Sequence, residues 1–181
     1  IGSRAGYYDT IGAGRDVINQ GGVLHSGPDT TIRGGRDVNI ISAEQMSRVD
    51  LDGGKNRSQD IKQFGSTVDA GRDLKVDAGR DINAIASQID ARRDIAMAAT
   101  ENLTLSSAAD EQHSAYNSKK LKIQEDHVQQ VATSVKAGGD VVLSAGQDMA
   151  LIASRVTAGD EAYLYAGKNL ELKSAEDQDY S

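Results

Sequence analysis

A phrase of the form Ala/Gly–Gly–x–Asp–apolar–x–apolar returns along this chain on a fixed schedule, and that schedule constrains the fold more than any other feature. The clear copies place Gly14 before Asp16, Gly35 before Asp37, Gly71 before Asp73, Gly79 before Asp81, Gly138 before Asp140 and Gly146 before Asp148. Gly167 precedes Asn169, with Asn in place of Asp. Weaker copies end at Tyr8 (after Ala5, Gly6 and Tyr7), Asp29, Asp94, Asn102 and Glu161. From 8 to 16 is 8 residues, to 29 is 13 and to 37 is 8; the same 8, 13, 8 runs through 73, 81, 94, 102 and through 140, 148, 161, 169. The unit is therefore 8 + 13 = 21 residues. A fixed period of this length marks a stack of supersecondary units rather than an irregular core.

Each phrase continues with alternating apolar residues: Leu74 and Val76, Leu103 and Leu105, Val141 and Leu143, Leu170 and Leu172. Period-2 alternation is a strand with one face buried. The 13-residue arm adds a third short run, as in Ser87–Ala91, Ser154–Ala158, Ser66–Ala70 and Thr133–Ala137. Three short strands per 21 residues predict an all-β, three-sided parallel solenoid of about six coils, each stacked about 4.8 Å above the last. The composition agrees: only 4% of residues are aromatic and 19 are Gly, so Val, Ile, Leu and Ala must build the core between frequent turns.

The Gly–x–Asp repeat places its residues in columns. Gly supplies a positive φ at each corner, and Asp or Asn two residues on bonds nearby N–H groups as an Asx turn. A calcium ladder is the rival. Its nonapeptide motif has a second Gly and a period of nine, and this chain has neither, so the predicted role is a structural turn with no metal and no cofactor. Arg15, Arg36, Arg72, Arg80 and Arg93 alternate with the Asp residues and are placed to neutralise the column by surface pairing.

The period breaks twice under a second rule. Coils over 1–43, 66–108 and 134–175 alternate with inserts over 44–65 and 109–133, and a third insert begins at 176–181, always leaving from the same corner after two coils. In the first insert Asp52-Gly53-Gly54-Lys55 reads as a two-residue hairpin turn, setting Val49 opposite Ser58 and Met46 opposite Ile61. In the second, Leu121 and Ile123 alternate, which favours strands, and a helical turn in Glu125–Ala132 is the alternative. Antiparallel hairpins projecting sideways are expected. His113 and His127, symmetric about residue 120, are expected to face each other, as a metal or pH-sensing pair or as plain surface polar groups. Lys119-Lys120-Leu121-Lys122 is a basic run at the expected tip, either solvated surface or a contact for acidic headgroups. Tyr7, Tyr8, Tyr163 and Tyr165 read as strand faces more than as a sugar-stacking platform.

No nucleophile elbow, paired-ligand helix or P-loop is present, so no catalytic residue is assigned. The net charge of −7 argues against nucleic acid. The absence of Cys excludes disulfides and zinc–thiolate sites, no apolar run reaches a membrane span, and the first residue is not Met, which reads as a piece of a longer chain. No residue pattern sets an oligomeric state.

The tandem "AGRDV.I" and "AGGDVVLSAGQDMALIAS", followed by "SAADEQH" and a return at "TSVKAGGD", resemble the haemagglutinin repeats of filamentous haemagglutinin-like exoproteins of two-partner secretion systems. The two-coils-then-insert grammar is similar to the second repeat region of contact-dependent growth inhibition effectors. The resemblance spans the whole chain, with Arg92 and Thr100 standing where the repeat has Gly. It implies a right-handed parallel β-helix and unfolded passage through an outer-membrane two-partner transporter, a route that freedom from Cys suits. It further implies display as a filament on a Gram-negative cell surface. The role implied is a structural and delivery segment that helps carry a C-terminal toxin into a target bacterium through contact with its outer membrane. The alternative is a passive stalk of an adhesin or haemolysin. A polysaccharide-cutting β-helix enzyme is the weakest reading, because the Asp residues belong to the repeat.

Overall fold

A computed structural model describes residues 8–118 and 120–180; the weak copy at Ala5-Gly6-Tyr7 and Lys119 of the basic run lie outside them. The described chain is a parallel β-helix with a separate antiparallel sheet along it. The first face stacks β1 (Tyr8–Ala13), β4 (Asp29–Gly34), β9 (Leu74–Ala78), β12 (Ile95–Ala99), β17 (Val141–Ala145) and β20 (Ala162–Ala166). The second stacks β2 (Val17–Gln20), β5 (Val38–Ile41), β10 (Ile82–Ile85), β13 (Leu103–Ser106), β18 (Met149–Ile152) and β21 (Leu170–Lys173). The third stacks β3 (Val23–Ser26), β8 (Thr67–Ala70), β11 (Gln88–Ala91), β16 (Ser134–Ala137) and β19 (Arg155–Thr157).

The period becomes register. Val76 pairs with Ile32 on one side and Met97 on the other, and Met97 pairs with Leu143. On the second face Ile82 lies between Val38 and Leu103, and on the third Ile89 lies between Val68 and Val135. Alternate residues of every strand therefore form apolar columns that meet at the axis, where Ile32, Ile82, Ile89, Ile95, Leu103 and Leu143 are fully buried. Each Ile or Leu so buried contributes about 1.5–3 kcal/mol of transfer free energy, which lets a core nearly free of aromatics hold the coil.

The fourth sheet is made of the inserts, in the order β22-β15-β14-β7-β6. The first hairpin pairs β6 (Ala43–Leu51) with β7 (Asn56–Phe64), and Val49 does face Ser58 and Met46 does face Ile61. Its turn is longer than the expected two residues. Pairing ends at Leu51 and Asn56, and the chain reverses over Asp52–Lys55 with positive φ at Asp52 and Gly53. The second hairpin pairs β14 (Ala108–Asn117) with β15 (Lys122–Val131), so Glu125–Val131 is strand. Successive inserts join edge to edge, β7 with β14 and β15 with β22 (Gln178–Tyr180).

All inserts leave between the second and third faces, and that corner has its own chemistry. The residue after the second-face strand is Gly21, Ala86 or Ala153 where no insert follows, and all three have positive φ (59°, 46° and 44°). Where an insert follows, the residue is Ser42, Ser107 or Ser174, and the hydroxyls of Ser42 and Ser107 donate to Gln63 Oε1 and Gln130 Oε1 on the returning strands, both at 2.7 Å. The next face opens with a buried hydroxyl. Ser66 Oγ lies 2.6 Å from the Ile41 carbonyl and 2.9 Å from that of Asn19. Ser87 Oγ lies 2.7 Å from Ile85 O and 2.8 Å from Ile40 O. Thr133 Oγ1 lies 2.6 Å from Ser106 O and 3.2 Å from Ala84 O. The carbonyls of Ile41, Ile85 and Ser106 already accept an N–H from Gly21, Ser42 and Ala86, so each hydroxyl is a second donor there, and Thr133 Oγ1 also accepts the buried Ser87 N–H at 3.3 Å. A buried polar group left without its partner costs about 1–3 kcal/mol.

Thr133→Val, which keeps the shape and removes the donor, should therefore destabilise by about 1–3 kcal/mol, while Thr133→Ser stays near wild type. Denaturant midpoints decide; a valine variant as stable as wild type would show that the hydroxyl column contributes nothing.

Candidate functional site

Because side chains alternate between the two faces of a strand, register assigns each insert residue to a side. Leu51, Asn56, Tyr116 and Ile123 form one cross-strand row at the outer end of the sheet. Val49 begins the next row on the same side, through Ser58, Ser114 and Glu125. Val49, Leu51, Tyr116 and Ile123 are all exposed and line one shallow cleft, with Leu121 exposed at the tip beside them. Lys55, Lys120 and Lys122 surround this end, also exposed. The Asn117 N–H donates to the Lys55 carbonyl at 2.8 Å, which ties the two tips together. No insert strand contains a buried residue. The distal end is thus an apolar surface with lysines around it, tied by backbone pairing and by polar side chains, Asn56 to Asp52 at 3.0 Å and Arg57 to Asp50 at 3.4 Å.

The two histidines do not face each other. His113 pairs in register with Asp126, and His127 pairs with Gln112, one position along and therefore on the other side of the sheet. The hairpin axis falls between residues, not on residue 120, which shifts the pairing by one. His113 instead lies between two carboxylates, with Nδ1 2.9 Å from Asp126 and Nε2 3.1 Å from Glu111. The hydrogen bonds to Asp126 and then Glu111 raise its pKa above the usual imidazole value, and His113 in turn lowers that of Asp126. His127 meets Asp179 of the following insert. Among the described residues no group of three or more His, Asp or Glu side chains is placed to hold a metal ion.

The Gly–x–Asp residues occupy the other two corners, in two axial columns. One passes through Asp16, Asp37, Asp81, Asn102, Asp148 and Asn169, the other through Asp29, Asp73, Asp94, Asp140 and Glu161. Two expectations about them need correction. The column glycines Gly14, Gly35, Gly71, Gly79, Gly138, Gly146 and Gly167 do not have positive φ; among the described glycines only Gly21 and Gly53 do. Close approach is what requires Gly. A Cβ on Gly71 would lie 1.9 Å from the Gly27 carbonyl oxygen, and one on Gly79 2.1 Å from that of Gly35. The Asp side chains also bond upward rather than within their own turn. Asp81 Oδ1 accepts the Asn102 N–H at 3.1 Å, Asp94 that of Asp140 at 2.9 Å, and Asp140 that of Glu161 at 3.0 Å. Asn102 and Asn169 add side-chain donation to the Asp below, at 2.9 Å and 2.8 Å.

Arginine closes these columns in the earlier coils. Arg36 grips Asp16 with two bonds of 2.8 and 2.6 Å, Arg72 grips Asp29 at 2.9 and 2.7 Å, and Arg80 grips Asp37 at 2.9 and 2.7 Å. Arg93 holds Asp73 in the same bidentate way. The guanidiniums of Arg36 and Arg93 hold the Asp16 and Asp73 carboxyls below the ordinary carboxylate range. Arg15 pairs with Asp16 of its own turn at 3.5 Å. At Thr100, where the repeat has Gly, the hydroxyl donates to the Ala78 carbonyl at 3.1 Å.

Gly79→Val should therefore cost more than Asp81→Asn. The valine Cβ meets a backbone carbonyl that cannot move without opening the stack, a loss of at least about 2–3 kcal/mol. Asparagine keeps the oxygen that accepts the Asn102 N–H and stays within about 1 kcal/mol. Urea midpoints of the two variants test the order; a larger loss for Asp81→Asn would make the carboxylate charge, not the backbone approach, the determinant.

The sequence relatives agree with this architecture. The haemagglutinin repeat family matches residues 50–124 and 115–181, and a second haemagglutinin repeat family matches residues 4–60. A tRNA nuclease CdiA of Escherichia coli (strain STEC_O31) is 28% identical over 184 aligned residues, which cover 94% of this chain and 6% of that protein. No solved structure gives a significant match. Repeat period, parallel coils and family matches over most of its length together place the chain in the haemagglutinin repeat family.

Proposed function

We propose that this chain is a structural and delivery segment of a large secreted filament on a Gram-negative cell surface, without catalytic activity of its own. On this reading the β-helix sets reach, and the insert sheet is the layer that meets the outer membrane of a target bacterium while a C-terminal toxin is passed across. Export runs through an outer-membrane two-partner transporter, for which a Cys-free chain is suited. The observation that carries the reading is the distal end of the insert sheet, where Val49, Leu51, Tyr116 and Ile123 stay exposed on one side among Lys55, Lys120 and Lys122. Apolar side chains with lysines at the rim suit an anionic headgroup surface, which attracts each Lys by about 1 kcal/mol. The similarity to a protein named as a tRNA nuclease, of which this chain spans 6%, favours the toxin carrier over a passive adhesin stalk.

The test uses the full-length parent protein. Leu51→Asp with Ile123→Asp should reduce killing of target cells at least tenfold while surface display on the producing cell is unchanged. Undiminished killing would sink the delivery role of the insert tips; retained cell attachment with no killing in either form would favour the stalk.

A further inference from the structure

The first face of the coil lies opposite the corner from which the inserts leave, so it is a separate surface. Its outward side chains change character along the rod. In β12 and β17 they are Ala96, Ala98, Val142 and Ser144, all small. Beyond them β20 raises two aromatic rings, with Tyr163 in register with Val142 and Tyr165 with Ser144. The rings are 54% and 65% exposed, although the residue between them, Leu164, packs on the core. On the other side stand charged residues: Lys75 in register with Ala96, Asp77 with Ala98, and Arg33 with Asp77. Asp77 is bonded to both Arg33 and Lys75 at 3.3 Å. The result is a trough. Its floor is two strands wide, about 10 Å at ordinary strand spacing; one wall is aromatic and the other is the ion-pair cluster of Arg33, Lys75 and Asp77.

We infer that this trough binds a polysaccharide chain. A pyranose offers a C–H face that stacks on an electron-rich ring, and hydroxyls that pair with a carboxylate and a guanidinium or ammonium, charge-assisted bonds stronger than neutral ones. A floor without long side chains lets the sugar reach both walls. Tyr163 and Tyr165 stand about 6.8 Å apart along the strand, so successive sugars run with the strands, across the rod. Other occupants fit less well. Nucleic acid needs a basic stripe, and here there are only two cations, Arg33 and Lys75, which share the Asp77 carboxylate. A bilayer needs a continuous apolar surface, and here one side carries Arg33, Lys75 and Asp77. An added β-strand would pair with the edge of β20 and leave the floor of β12 and β17, paired on both sides, uncovered. The inference stands apart from the insert tips: the two surfaces can fail independently.

Affinity gel electrophoresis of the 181-residue chain through gels containing hydroxyethylcellulose, dextran or purified O-polysaccharide is the experiment. At least one polymer should retard the wild-type chain. Tyr163→Ala with Tyr165→Ala should lower the apparent affinity at least tenfold, and Phe at both positions should keep most of it. Ala98→Arg, which fills the floor without touching the tyrosines, should abolish retardation and guards against an unfolded alanine variant; thermal melts establish that each variant is folded. Free migration of the wild type in all three gels, or equal retardation of wild type and a folded Ala98→Arg variant, overturns the proposal.

Discussion

One length governs the molecule: the separation of hydrogen-bonded strands, about 4.8 Å. Two stacked coils rise by twice that distance, and so do the two strands of one hairpin. A hairpin leaving after every second coil therefore reaches the next hairpin in hydrogen-bonding register, and the inserts fuse into one sheet that grows in step with the β-helix. A hairpin after every coil would need twice the room available, and one after every third would leave an unpaired edge. The ties repeat at the same interval. Gln63 and Gln130 are 67 residues apart, as are Asp110 and Asp177, and each Gln N–H donates to the Asp of the following insert, at 2.6 and 2.7 Å. Each Gln side chain also takes the hydroxyl of the serine where its own insert leaves. A sheet without buried residues persists because the coil fixes its inner end and backbone pairing joins its rows.

The three corners meet the same stacking demand by different means. Two take Gly in most coils, because a carbonyl of the adjacent coil lies about 2 Å from where a Cβ would be, with Arg92 and Thr100 the exceptions, and they carry axial Asp or Asn bonds. The third buries a hydroxyl. That corner places a Ser or Thr hydroxyl on its carbonyls in four successive coils, and among the described residues only that corner opens to release an insert. The chemistry that closes it, Ser or Thr on an adjacent carbonyl, is local and does not depend on how many residues intervene between Ser42 and Ser66 or between Ser107 and Thr133.

Much of this was legible in the residues because repetition converts spacing into geometry. The interval of 21 residues predicts the parallel register of Ile82 with Leu103, and the alternation of Val49 and Leu51 against the Gly53-Gly54 turn predicts the register of the first hairpin. What escaped depends on contacts between coils rather than along the chain. Gly79 reads as a positive-φ residue because a lone turn would need one, yet its constraint is the Gly35 carbonyl, 44 residues earlier. The true positive-φ positions, Ala86 and Ala153, carry no sequence sign of it, since Ala is rarely left-handed. The hydroxyls did leave a signal, Ser or Thr opening four of the five third-face phrases at Ser66, Ser87, Thr133 and Ser154, which is meaningful only once the carbonyls above and below are known. His113 and His127 were misplaced by a single position of register, enough to send them to opposite sides of a strand pair.

The most direct measurement of the central constraint is amide hydrogen exchange on a variant with one additional 21-residue coil, a duplicate of 66–86 placed between the two inserts. If equal strand spacing joins the inserts, Gln59 and Ile61 of β7 and His113 of β14 lose protection while Ile89, Leu103 and Val135 in the coils keep it. Unchanged protection across β7 and β14 in that variant would mean that the inserts pair without regard to the rise of the coils, and would contradict the account.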